Sequence, residues 1–381
     1  KKEIMNLLAD NIKATGKKSI LPSTAPYLAV FALPKTPKYQ FFEDGVYIGK
    51  EVGTEKAVFW NYSSMINQHV LLIGPTGAGK TEALISLAYK VSMFSGIPVV
   101  FFDTKSDIKL RLKKYNVHPK IINPLLFSLG LLKPDNASLD SYITQVVSII
   151  EYSYQLDKYA SSILYRAIKN GFQRYGNPTW DDILSEVDNM DLQMQIKTLL
   201  LRLISQIKEY DYDKRYTIID AIKDANIYVI DMSMLKSEDI KRLIMLSALT
   251  KIYNKYNIAE DKLKIALVVD EAWTVLKDSD QYSMIADIIK RGRGYGLMLM
   301  MATQNIMDLG QYADVYLQNI GLIVFMNNGD KKFWQEVLRF VNINDDEIKQ
   351  QLTFLGRGEA LLRFITDPRP VTVKLDTFVE N

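Results

Sequence analysis

His69-Val70-Leu71-Leu72-Ile73-Gly74-Pro75-Thr76-Gly77-Ala78-Gly79-Lys80-Thr81 is the stretch from which the rest of the chain is read. The apolar run Val70 to Ile73 has the length and composition of a strand buried on both faces. It leads directly into Gly74-Pro75-Thr76-Gly77-Ala78-Gly79-Lys80-Thr81, spaced as Gly-x-x-x-x-Gly-Lys-Thr. Ala83, Leu84, Leu87, Ala88 and Val91 then recur at helical intervals. The glycines let successive backbone N–H groups turn inward on a phosphate chain, and the helix adds its positive N-terminus. Lys80 is placed to reach β- and γ-phosphates, and the Thr81 hydroxyl to ligate Mg²⁺. The expected nucleotide-binding segment is thus Gly74, Pro75, Thr76, Gly77, Ala78, Gly79, Lys80 and Thr81, with Glu82 next in the first helical turn. The loop specifies a nucleoside triphosphate and leaves open what its energy is used for.

Around this loop, 381 residues leave room for two or three domains, and 48% hydrophobic against 24% charged residues is the balance of a globular protein with a real core. A net charge of +3 is too small to argue nucleic-acid binding from the total. The chain has no cysteine, which excludes disulfides, thiolate metal sites and a cysteine nucleophile. His69 and His118 are the only histidines, so a multi-histidine metal centre is excluded, and each is expected to be structural or at the surface. No apolar stretch approaches the roughly 18–20 residues of a membrane span, and no signal peptide is visible. The first residue is Lys1 rather than Met, as expected of a fragment or a processed product.

Along the chain, residues 1–68 read as a lead-in and adaptor: a charged helical start, then a segment rich in proline and aromatics with strand-like pieces at Tyr27–Leu33 and Val46–Ile48. Residues 69–136 read as the first part of an α/β nucleotide-binding core, with strands at 69–74, 97–103 and 120–123. Residues 137–214 carry helical patterns and almost no strand signal, and are expected to be an all-helical insert. Thr179 is the expected N-cap of one of its helices. Tyr152, Tyr154, Met190 and Met194 are expected in its core. Residues 215–381 read as the second part of the core, with strands at 226–231, 264–270, 296–302, 321–326, 359–364 and 371–375. Ser237 is expected to cap a long helix over 238–256. The last two strands, late and closely spaced, predict an antiparallel edge on a mostly parallel sheet.

The apolar strand Ile265-Ala266-Leu267-Val268-Val269 ends in Asp270-Glu271. This is the Walker B pattern: Asp270 is expected at Mg²⁺, and Glu271 is expected to polarise the attacking water. A carboxylate there favours hydrolysis over phosphoryl transfer to an acceptor. Gln304, in Thr303-Gln304-Asn305 after the strand that runs to Ala302, fits a hydrogen bond to the γ-phosphate or the lytic water; a turn residue capping the strand is the other reading. Lys290-Arg291-Gly292-Arg293-Gly294 is a flexible basic loop. Arg293, ahead of Arg291, is the candidate for an arginine that crosses a subunit boundary, worth about 10³–10⁵ in rate; a solvated loop and a nucleic-acid phosphate contact are the alternatives. Asp103, in Asp103-Thr104-Lys105, either supports the metal site or caps the next helix.

The order of these pieces is itself informative. Asp103-Thr104-Lys105 follows the phosphate loop; then come Ile230-Asp231-Met232-Ser233, Asp270-Glu271-Ala272-Trp273, Arg291-Gly292-Arg293, Ala302-Thr303-Gln304 and Leu355-Gly356-Arg357-Gly358-Glu359. Over residues 45–375 the chain resembles the HerA/FtsK superfamily of ring-forming motor ATPases. It is most similar to the branch of type IV secretion ATPases of conjugation systems, the fourth protein of the VirB set. The resemblance implies a RecA-like core and Mg²⁺-dependent ATP hydrolysis, and it implies roles for Lys80, Thr81, Asp270, Glu271, Gln304 as sensor and Arg293 as finger. It also implies Arg357 near nucleotide and the subunit interface, a hexameric ring, and association with secretion components at the cytoplasmic face of a membrane. No Asn-Lys-x-Asp guanine motif occurs, so ATP is the expected nucleotide. The expected function is a motor for substrate transfer or assembly in type IV secretion. The alternatives are a HerA-like or coupling-protein DNA translocase, and a nucleotide-gated scaffold with little hydrolysis.

Overall fold

The computed structural model describes residues 44–134, 138–211, 216–223, 226–256, 262–272, 284–291, 296–341 and 355–377. The expected pieces at 1–20 and Tyr27–Leu33 lie outside them. The strands are β1 (Val46–Glu51), β2 (Ala57–Trp60), β3 (Val70–Ile73), β4 (Val99–Asp103), β5 (Lys120–Ile122), β6 (Ile227–Asp231), β7 (Ile265–Asp270), β8 (Leu297–Thr303), β9 (Leu322–Met326), β10 (Glu359–Phe364) and β11 (Asp367–Leu375). The α-helices are α1 (Lys80–Ser95), α2 (Ile108–Lys114), α3 (Leu139–Tyr154), α4 (Lys158–Tyr175), α5 (Trp180–Asp188), α6 (Met194–Tyr210), α7 (Glu238–Tyr256), α8 (Met284–Arg291), α9 (Ala313–Asn319) and α10 (Lys331–Phe340).

All described strands join one sheet in the order β2-β1-β11-β10-β9-β3-β8-β7-β4-β6-β5. From β9 to β5 the pairing is parallel. The central strands β3, β4 and β8 are buried along their whole length, which is why they read as unbroken apolar runs rather than alternating ones. β10 and β11 run antiparallel as expected. They do not form the outer edge, however: β1 pairs with β11 and carries β2 outside it. The segment before the phosphate loop therefore completes the sheet that the loop belongs to. Gly49 permits the close pairing of β1 with β11, because a Cβ there would stand 2.1 Å from the Lys374 carbonyl oxygen.

Residues 139–210 carry α3 to α6, each packed on its neighbour in sequence, and α3 packs on α7. Thr179 caps α5 in a reciprocal box with Asp182. The hydroxyl of Ser237 accepts from the Ile240 N–H at the start of α7. Tyr152, Tyr154 and Met190 pack against the core as expected. Met194 is the exception: it stands in the first turn of α6 and is 76% exposed. A methionine at a helix end has no neighbouring turn to cover it, and periodicity alone does not report that. The helical layer is fastened to the sheet by Asp211, just past α6. Its buried carboxylate accepts from the Ser128 hydroxyl at 2.6 Å, the Gly130 and Leu131 N–H groups at 2.8 and 3.0 Å, and the Trp180 indole at 3.1 Å.

Candidate functional site: a phosphate loop at one edge of the sheet

Strand register gathers the candidate residues. Ile73 pairs with Thr303, Asp270 with Ala302, and Val269 with Phe102. The segments after β3, β8, β7 and β4 consequently emerge side by side along the carboxyl edge of the sheet, where ligands bind in open α/β folds.

In the loop, Gly77 and Gly79 have φ of +85° and +95°, a left-handed backbone that glycine adopts without cost. Gly74 is required for a different reason: a Cβ there would sit 2.6 Å from Cβ of Met326, at the end of β9. Gly79 is the N-cap of α1 and provides no side-chain acceptor. The first-turn N–H groups of α1 are left for an anion. The Lys80 ammonium folds back onto the loop, donating to the Gly74 and Pro75 carbonyls at 2.6 and 2.9 Å. Burial pushes its pKa down, against the pull of the Asp270 and Glu271 carboxylates.

Thr81 and Asp270 meet directly: the hydroxyl donates to Oδ2 at 2.7 Å. Burial pushes the Asp270 carboxyl up, and the Thr81 hydrogen bond opposes it. One hydroxyl and one carboxylate at a helix N-terminus fit Mg²⁺, which takes few protein ligands and fills the rest with water and phosphate oxygens. Among the described residues no group of three or more His, Asp or Glu side chains is gathered as an all-protein metal cage. Glu271 follows with φ +65°, outside the regions usual for a side-chain-bearing residue, and its N–H donates to Asp270 Oδ1 at 3.1 Å. Its carboxylate is ion-paired with Lys105, from the loop after β4.

Gln304 reaches the loop, with the Thr76 hydroxyl 3.4 Å from its Oε1. The capping work at this strand end is done by Asp308, whose Oδ2 accepts from the Thr303 hydroxyl and from the Gln304 and Asn305 N–H groups. That leaves the Gln304 side chain facing the phosphate loop. Asp103 is buried and accepts from the Lys105 and Lys109 N–H groups at 3.2 and 3.3 Å, so it serves the turn into α2. Glu82 turns its carboxylate away to Arg111 and Tyr115. Arg357 is exposed in the turn leading into β10, on the same sheet edge and two strands from β3. Arg291 ends α8, and Arg293 lies outside the described residues.

Of the two histidines, His118 is exposed. His69 is fully buried and accepts from the Leu299 N–H through Nδ1 at 3.0 Å, with Nε2 2.8 Å from the Ile288 carbonyl. The His69 ring is thus held between two backbone groups, away from solvent. Two residues that shape this edge are not marked by any motif in the sequence. They are Lys105 and Asp308. Neither carries a local signal, because each acts on a residue of a different strand end or on the backbone of its own turn.

Fold and edge together define a P-loop nucleotide-binding protein with a RecA-like core. The profile described as "Helicase HerA, central domain" matches residues 46–252, and the profile described as "AAA-like domain" matches residues 206–376. The chain belongs to the HerA central-domain family. It is 49% identical over 384 residues to the DNA import protein CedB of Sulfolobus acidocaldarius, covering 100% of this chain and 64% of that protein. The chain thus spans under two thirds of that relative's length. In fold it is similar to VirB4 of Thermoanaerobacter pseudethanolicus, with a TM-score of 0.70 at 18% identity over 88% of this chain and 97% of the other. It is also similar to the plasmid coupling protein TrwB, in a structure with ADP and Mg²⁺, with a TM-score of 0.57 at 16% identity over 82% and 85% of the two chains. The expected superfamily and the expected core are borne out. Among the described residues no helix is long and apolar enough to cross a membrane.

Proposed function

We propose that this chain is the ATP-hydrolysing motor domain of a machine that moves DNA. The observation that carries the reading is the meeting of Thr81 with Asp270 at 2.7 Å, beside Lys80 and Glu271, on the edge that Gln304 closes. In this reading the loop N–H groups and Lys80 hold the phosphates. Thr81 and Asp270 would hold Mg²⁺, which would offset the charge that develops on the phosphates. Glu271 takes the proton of the water that attacks the γ-phosphorus as its bond to the β,γ-bridging oxygen breaks and ADP leaves, and Gln304 orients that water or senses the γ-phosphate. The Arg293 segment completes the site of a neighbouring subunit in a ring, and Arg357 lies towards that boundary.

DNA is favoured as cargo by the high identity to a DNA import protein across the whole of this chain. The likeness in fold to VirB4 and TrwB accords with a motor on a transfer or secretion apparatus at a membrane face and does not choose the cargo. Steady-state turnover with and without duplex DNA tests the reading. DNA is expected to stimulate hydrolysis, and the stimulation to fall steeply with salt, because each phosphate neutralised releases a counterion. Hydrolysis that ignores DNA at every salt concentration would move the cargo assignment to protein or pilin.

A further inference from the structure

Glu82 is an acidic residue in the first turn of α1, three places after the N-cap Gly79 and next to Thr81. A glutamate at that position ordinarily turns back towards the N–H groups at the helix start, where its charge favours the positive end of the helix dipole. A phosphate chain seeks the same N–H groups and the same positive end. The position therefore sets a carboxylate of this chain against the ligand of its own loop. α2 resolves the conflict. The Glu82 side chain is 12% exposed, so its carboxylate leans on protein donors rather than on water. The Arg111 guanidinium donates to Oε2 at 2.6 Å, and the Tyr115 hydroxyl, one residue past the end of α2, donates to Oε1. Arg111 and Tyr115 are four residues apart and so face the same way. Burial and the Glu82 carboxylate push the Tyr115 phenol up to about 12, which keeps it a donor at neutral pH. Arg111 is steadied in turn by Asp107, whose Oδ2 accepts from its Nε at 3.3 Å.

We propose that Arg111 and Tyr115 are positioning residues for nucleotide binding: they draw the Glu82 carboxylate off the start of α1 and so keep the first-turn N–H groups open to phosphate. The inference rests on the nucleotide-binding reading of the loop and deepens it. Both residues act through Glu82, and the same contacts tie α1 to α2. Affinity and stability are therefore separable here. Losing the donors on α2 breaks the tie and returns a carboxylate to the phosphate site. Losing the carboxylate as well leaves the tie broken but removes the competitor.

The test sets equilibrium ATP binding in the presence of Mg²⁺ beside the thermal unfolding midpoint of the nucleotide-free chain. The proteins are the wild type, Arg111→Met with Tyr115→Phe, and that pair with Glu82→Met added. The pair is expected to lower the midpoint and to raise the Kd for ATP by about 2–5-fold, the effect of one charge at a helix end. Adding Glu82→Met is expected to bring Kd back towards the wild-type value while the midpoint stays low. If the pair does not fold, Tyr115→Phe with and without Glu82→Met makes the same comparison at a smaller factor. An unchanged Kd in the pair would overturn the proposal, because Glu82 would then not compete with phosphate. A raised Kd that Glu82→Met does not recover would also overturn it, and would assign the effect to packing or to Asp107. A wild-type chain that binds no ATP would overturn the nucleotide reading itself, and the proposal with it.

Discussion

His69 stands one residue before β3 and shows how a buried polar group is settled by its neighbours. Nδ1 accepts from the Leu299 N–H, so the proton is on Nε2, facing the Ile288 carbonyl. The ring is neutral and ties the start of the phosphate-loop strand to β8 and α8. Burial pulls its pKa down from 6.5 to about 4, with the Ile288 hydrogen bond opposing. The unfolded chain therefore binds the proton more readily than the folded one. Its stabilising contribution is complete above pH 6.5 and is lost as the pH falls towards 4, about 3 kcal/mol over that window. Chemical denaturation across pH 7 to 4 is expected to show this loss in the wild-type protein and a flatter profile in His69→Gln, which starts lower. Equal slopes in the two proteins would contradict the assignment. Gly74 makes the same point in steric terms: the room beside Met326 admits no Cβ, so the motif glycine is fixed by packing as well as by phosphate approach.

Among the elements, Asp211 holds the largest stake. It is one carboxylate answering four donors, from Ser128, Gly130, Leu131 and Trp180. Through them it joins the end of α6 and the start of α5 to the loop after β5. Asp211→Ala strands several buried donors at once and is expected to cost about 3–5 kcal/mol, seen as a lower denaturation midpoint. A change within about 0.5 kcal/mol would mean that water substitutes for the carboxylate. None of this was legible in the sequence, where Asp211 is a polar residue after an apolar helix. The parallel strands were legible, because burial on both faces writes itself as runs such as Val70–Ile73 and Ile265–Val269. The phosphate loop, Asp270-Glu271 and Gln304 were legible because their spacing is local. Strand order was not: nothing in residues 46–60 says that they pair with β11, a contact made across most of the chain. The Lys105–Glu271 pair was hidden for the same reason, since it exists only because β4 lies beside β7.

At the scale of the whole molecule, the sheet converts a linear order of motifs into one edge, and the helical layer rides on that sheet through α3, α7 and Asp211. In the proposed function this edge hydrolyses ATP and Glu271 supplies the base. The most direct measurement is single-turnover ATP hydrolysis beside equilibrium nucleotide binding, for the wild-type chain and Glu271→Gln. Glu271→Gln is expected to keep its affinity for ATP and Mg²⁺ while hydrolysis falls by about 10²–10⁴. Hydrolysis within a few-fold of wild type in Glu271→Gln, with binding intact, would contradict it.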